Sequence, residues 1–146
     1  MSPVRRLLSG TTGVLLLLVP LLMAYGATVP VREFRTGTTA DYRTFVVVCL
    51  TIYGGAGVGI LVQWRRSAYH RRPISAETTF WAGFTGAMLA IGVALIVAAV
   101  KEGPGNLWGL VVIFGGVFSA IVGAGAALVS YALHGPSDVS DTALPE

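Results

Sequence analysis

An all-α fold, an integral membrane four-helix bundle made of two helical hairpins, is what this sequence predicts, and three observations predict it. Only 12% of the 146 residues are charged and 54% are hydrophobic, where a soluble domain carries about 25% charged residues. Four stretches long enough to cross a bilayer contain no Asp, Glu, Lys or Arg. Between the second and third, Trp64 to Pro73 gathers Arg65, Arg66, Arg71 and Arg72, a basic cluster in a chain whose apolar runs have none. With a mean hydropathy of +0.74, too few charges remain to cover a wet surface, so lipid is the expected solvent for most of the chain.

The first span is expected over about residues 7–25. Arg5, Arg6 and the apolar core Val14 to Val19 also resemble a signal peptide, with Ala24-Tyr25-Gly26 as a cleavage site. The apolar stretch runs past the usual length of roughly 7–15 residues, so a retained helix is expected. Pro20 is expected to kink it, which membrane helices tolerate where a neighbour satisfies the freed carbonyl. The loop after it, Gly26 to Arg43, is too short for a domain.

The second span, residues 45–64, is weakened by Gly54, Gly55, Gly57 and Gly59. Phe45, Val46, Val47, Val48, Leu50, Ile52, Val58, Ile60, Leu61 and Val62 stand against them. At roughly −0.3 to −0.6 kcal/mol each, they total about −3 to −6 kcal/mol, so the span inserts. The third span covers 80–100, a turn follows at Lys101 to Asn106, and the fourth covers 107–133. Residues 1–134 thus form a single transmembrane domain, and 135–146 a mobile polar tail rich in Pro, Ser, Asp and Glu.

Four spans put both termini on one side, together with the segment 65–79. That side carries Arg5, Arg6 and the four clustered arginines; the other carries Arg32, Arg35, Arg43 and Lys101. Basic residues favour the cytoplasmic side, so the termini and the 65–79 loop are expected in the cytoplasm of a multi-pass cell-membrane protein. Trp64, Tyr69, Phe80 and Trp81 on one side and Tyr25, Tyr42, Phe45 and Trp108 on the other suit headgroup level.

Small residues are the strongest positional signal. Gly55 and Gly59 stand four apart in the second span. Ala82, Gly86, Ala90, Ala94 and Ala98 repeat every four in the third; Gly115, Ser119, Gly123 and Ala127 do so in the fourth, beside Gly116, Ala120 and Ala124. Such rows let backbones meet where lipid gives no hydrophobic push between helices. Helix packing is therefore assigned to Gly55, Gly59, Gly86, Ala90, Gly115, Ser119 and Gly123. The fourth helix is expected to carry the tightest contact, with Val112 and Val122 as comparison positions on the reading that they face lipid. Small residues on more than one face of that helix leave room for a second chain. Ile52-Tyr53-Gly54-Gly55 is echoed by Ile113-Phe114-Gly115-Gly116, which chance explains in Gly- and Val-rich helices.

Chemistry finds little purchase. Cys49 is the one cysteine, so no intrachain disulfide can form, and mid-span it behaves as a small hydrophobe. His70 and His134 fall at helix edges, away from haem- or metal-binding positions, and His134 is expected near a helix C-terminus. No metal and no cofactor is expected. No Ser-His-Asp, HExxH or phosphate-loop pattern appears, so no catalytic residue is assigned and the chain is not read as an enzyme. Ion-coupled transport needs ionisable groups within the membrane, and the spans hold no Asp, Glu, Lys or Arg. Thr51, Tyr53, Thr85, Ser119 and Ser130 are expected to bond helix backbones. The net charge of +3 belongs to the flanks of apolar runs, which argues against a nucleic-acid partner. Arg65, Arg66, Arg71 and Arg72 are candidates for contact with anionic lipid, beside their role as a topology anchor.

The expected function is a non-catalytic accessory or assembly component of a larger membrane complex, its partners the lipid bilayer and another membrane protein. The alternative is a small uniporter, channel or lipid-handling protein acting as a homo-oligomer.

Overall fold

The computed structural model describes residues 3–28, 39–103 and 108–135. They form α1 (Pro3–Thr28), α2 (Thr39–Tyr69), α3 (Ala76–Glu102) and α4 (Trp108–His134), with no strand among the described residues. Each helix contains a segment long and apolar enough to cross a membrane: Pro3–Met23, Phe45–Tyr69, Ala76–Glu102 and Gly109–His134. Apolar residues surround these helices on every side, so lipid can serve as solvent wherever another helix does not.

The most extensive contacts join α2 to α3, α1 to α4 and α3 to α4; α1 meets α2 more thinly, and α2 touches α4 across the short diagonal. The core is small: Ile52, Ala56, Ala87, Ile91 and Val122, ringed by Leu17, Val48, Tyr53, Met88, Leu95, Val111 and Phe118. Outside it, Leu61, Leu89, Ile96 and Ile113 are 64–66% exposed. A water-soluble bundle would bury such side chains.

The helices run past the expected spans. The second does not end at Trp64: it continues through Arg65 to Tyr69, and Arg66 lies in its last turn, favourable for a helix C-terminus. The Arg72 N–H bonds the Ser67 carbonyl at 2.9 Å and the Arg71 N–H the Ala68 carbonyl at 3.3 Å, a Schellman stop whose left-handed position is Arg71, φ 51°. Pro73 then bars continuation.

Ser75 caps α3 by accepting from the Thr78 N–H at 3.1 Å, while the Ser75 N–H reaches Thr78 Oγ1 at 3.3 Å. The expected 65–79 loop is thus a turn of residues 70–75. α2 likewise starts at Thr39, so the expected loop to Arg43 is shortened too. Residues 29–38, including Arg32 and Arg35, lie outside the described residues. So do Pro104, Gly105 and Asn106 of the turn expected before the fourth helix and residues 136–146 of the polar tail.

α1 is built into the bundle. A Cβ on Gly13 would stand 2.7 Å from the Gly125 carbonyl oxygen of α4. Pro20 is fully buried, and the Tyr53 hydroxyl of α2 donates to the Leu17 carbonyl in the turn that Pro20 disturbs. At the other end of α1, the Arg6 guanidinium lies against Gly135, which closes α4 with φ 74°. A cation at a helix C-terminus meets the negative end of its dipole.

Candidate functional site

The closest approach of two backbones lies between α2 and α3, not on α4. A Cβ on Gly55 would meet Gly86 O and Ala90 Cβ at 2.5 Å; one on Gly59 would strike the Ala82 carbonyl, and one on Gly86 the Gly55 carbonyl. Gly55, Gly59, Gly86 and Ala90 therefore meet in one seam. The α4 row lies on another side of α3. Gly115 receives Ile91 Cδ1, 2.7 Å from a Cβ built there, and Gly123 stands 3.1 Å by the same measure from the Phe80 carbonyl. Between them Ser119 is wholly buried and donates to the Gly115 carbonyl at 2.6 Å. Here a side chain fills much of the space that a second glycine leaves empty at α2–α3, so α4 stands further off.

One expectation on these rows is corrected. Val122 does not face lipid: it is 2% exposed and part of the core, whereas Val112 is 42% exposed. The α3 row does not keep one neighbour: Ala82, Gly86 and Ala90 face α2, but Ala94 is exposed. Each step of four overshoots a helical turn by about 40°, so the row rotates off the seam. The residues α3 buries are one place along, Thr79, Gly83, Ala87 and Ile91.

α4 also meets α1, through residues outside its small-residue rows. Besides the Gly13–Gly125 approach, a Cβ on Gly10 would stand 3.2 Å from Ala132 Cβ. This contact escaped sequence reading because Gly10, Gly13, Gly125 and Ala132 form no row on either helix alone.

Interior hydroxyls are engaged within the bundle. At the surface, Thr51 likewise donates to the Val47 carbonyl of its own helix at 2.7 Å. Thr79 Oγ1 sits between the Ser75 carbonyl at 2.9 Å and Ser130 Oγ at 3.2 Å, linking α3 to α4. His134 ends α4 with Nδ1 3.1 Å from the Ser130 carbonyl; since a carbonyl only accepts, the proton sits on Nδ1. Trp64 meets the His134 ring edge-on, centroids 6.0 Å apart. Cys49 is buried. Among the described residues no three His, Cys, Asp or Glu side chains come together.

The outer side of the α2–α3 seam is an open groove of about 1080 Å³. Gly55, Gly59 and Gly86 form its floor, Gly54, Val58, Val62, Trp81, Thr85 and Leu89 line its sides, and Gln63, Arg66, Glu77 and Thr78 stand toward the arginine turn at its mouth. Of the four clustered arginines, all exposed, Arg66 alone lines it. Comparison with protein-family models, with curated proteins and with solved structures finds no match for this chain.

Proposed function

We propose that the chain is a non-catalytic, four-span membrane protein that serves as an accessory or assembly component of a larger membrane complex. Both termini and the turn of residues 70–75 stand in the cytoplasm, as the six arginines on that side favour. The observation that carries the reading is the division between interior and surface. The interior hydroxyls of Thr79, Ser119, Ser130 and Tyr53 are bonded between or along helices. The outward faces carry large apolar side chains such as Leu61, Leu89 and Ile96. Such a molecule offers surfaces for docking and little polar interior for moving a solute. The Gly115–Gly123 row of α4 is taken by α3 and Gly125 by α1, so a partner chain would dock on the exposed apolar faces.

The groove between α2 and α3 favours a second reading, a lipid-handling homo-oligomer. Crosslinking in the native membrane followed by native mass spectrometry of the solubilised protein separates the two. A different chain bound in fixed proportion supports the accessory role; a closed assembly of this chain alone supports the second reading and removes the first.

A further inference from the structure

The α2–α3 groove has a direction. From Gly54 to Arg66 it follows thirteen residues of α2, about 18 Å along the axis. Half of a hydrocarbon core of about 30 Å is close to that length. The groove therefore spans one leaflet, too short for a crossing partner helix to lie along in full. Its inner end carries one hydroxyl, that of Thr85, among apolar residues, and its charged groups lie at the other end, where Arg66 and Glu77 begin the flanks of the arginine turn. One polar end and one apolar length match an amphiphile of a single leaflet.

The mouth also selects a headgroup. Arg66 and Glu77 both line it, both are exposed, and no ion pair joins them among the described residues. A cation and an anion left apart at one opening match a ligand carrying both charges. Beside them the Gln63 amide can donate to a phosphate or ester oxygen. We infer that the groove holds one phospholipid of the phosphoethanolamine class, its acyl chains along the glycine floor, its phosphate at Arg66 and its amine at Glu77. Arg65, Arg71 and Arg72 lie outside the groove and add a general attraction for anionic lipid. The site is independent of which partner the protein has.

Gly54 supplies the test. It lines the groove, yet a Cβ built on it meets nothing within 4 Å, so Gly54→Leu enters the groove without its Cβ pressing on the α3 backbone. The full chain is reconstituted in bilayers of equal parts phosphatidylethanolamine and phosphatidylglycerol, extracted in mild detergent, and its retained lipid read by native mass spectrometry. The expected result is one retained phosphatidylethanolamine, favoured over phosphatidylglycerol. Glu77→Gln removes that preference, Arg66→Gln lowers retention of both lipids about fivefold, and Gly54→Leu abolishes retention at an unchanged melting temperature. Retention that survives Gly54→Leu, a wild-type protein that retains phosphatidylglycerol equally or no lipid, or a protein helix crosslinked along the groove would each overturn the proposal. If Gly54→Leu melts early, a bulky Thr85→Trp on the groove wall replaces it, with the same required outcome.

Discussion

Gly55 and Gly86 face each other across α2 and α3 with no side chain between their backbones. A Cβ on Gly55 would stand 2.5 Å from the Gly86 carbonyl oxygen, and one on Gly86 would run into the Gly55 carbonyl in return. The obstacle on each side is backbone, which cannot turn aside as a side chain can. Gly55→Leu and Gly86→Leu are therefore expected to destabilise at or above the top of the range of about 1–3 kcal/mol for overpacking. Gly54→Leu, one residue away, is expected to melt like the wild type in detergent. Equal melting of all three variants would show that the seam does not hold the bundle together.

Tyr53 ties α2 to α1 by donating to the Leu17 carbonyl, one turn before Pro20. Tyr53→Phe keeps the ring and removes only that bond. The expected loss is about 0.6 kcal/mol and at most about 1.7 kcal/mol, the range for hydrogen bonds between membrane helices. Because α1 meets α2 thinly, the loss is expected to appear first as faster proteolysis of α1, with the rest of the bundle intact. An unchanged cleavage pattern and melting point would remove this bond from the account of how α1 is held.

Arg71 occupies the left-handed position of the turn after α2, φ 51°. An L-residue there carries a penalty of roughly 1–2 kcal/mol that glycine escapes. Arg71→Gly is expected to raise the melting temperature, and Arg71→Val to lower it, with lipid composition held constant. If both lower it equally, the guanidinium matters more than the backbone.

On α4, Gly115→Leu and Gly123→Leu are expected to destabilise by about 1–3 kcal/mol, because Ile91 and the Phe80 carbonyl occupy the space. Val122→Leu is expected to join them, being in the core, while Val112→Leu at the exposed face is expected to be mild. A mild Val122→Leu would contradict the placement of this helix.

Orientation is checked with reporters inserted at Pro73, within the exposed turn, at Glu146, and at Gly105. Cytoplasmic signals at the first two and an outward signal at Gly105 are expected from the positive-inside bias. An outward reporter at Pro73 inverts the proposed topology.

What the sequence alone determined is how many helices there are and where each lies along the chain. Transfer to lipid depends on composition summed over a window, and no Asp, Glu, Lys or Arg interrupts the four apolar runs. Even Gly54 to Gly59, poor for a helix in water, did not hide the second span.

Helix ends needed the turn chemistry of Ser75 to Thr78 and the Schellman stop around Arg71, which lie beyond the apolar windows. Which face meets which neighbour was decided only by the tertiary structure. These helices are apolar on every side, so no amphipathic period marks the buried face, and Val112 at the exposed surface is as apolar as Val122 in the core. The echo of Ile52 to Gly55 in Ile113 to Gly116 shows the same limit: Ile52 is wholly buried and Ile113 is 64% exposed. The choice between those faces rests on fit across two helices, where Gly55 needs Gly86, Gly13 needs Gly125, and Gly115 needs Ile91. Such pairings join residues far apart in the chain, and no window along one helix contains both members.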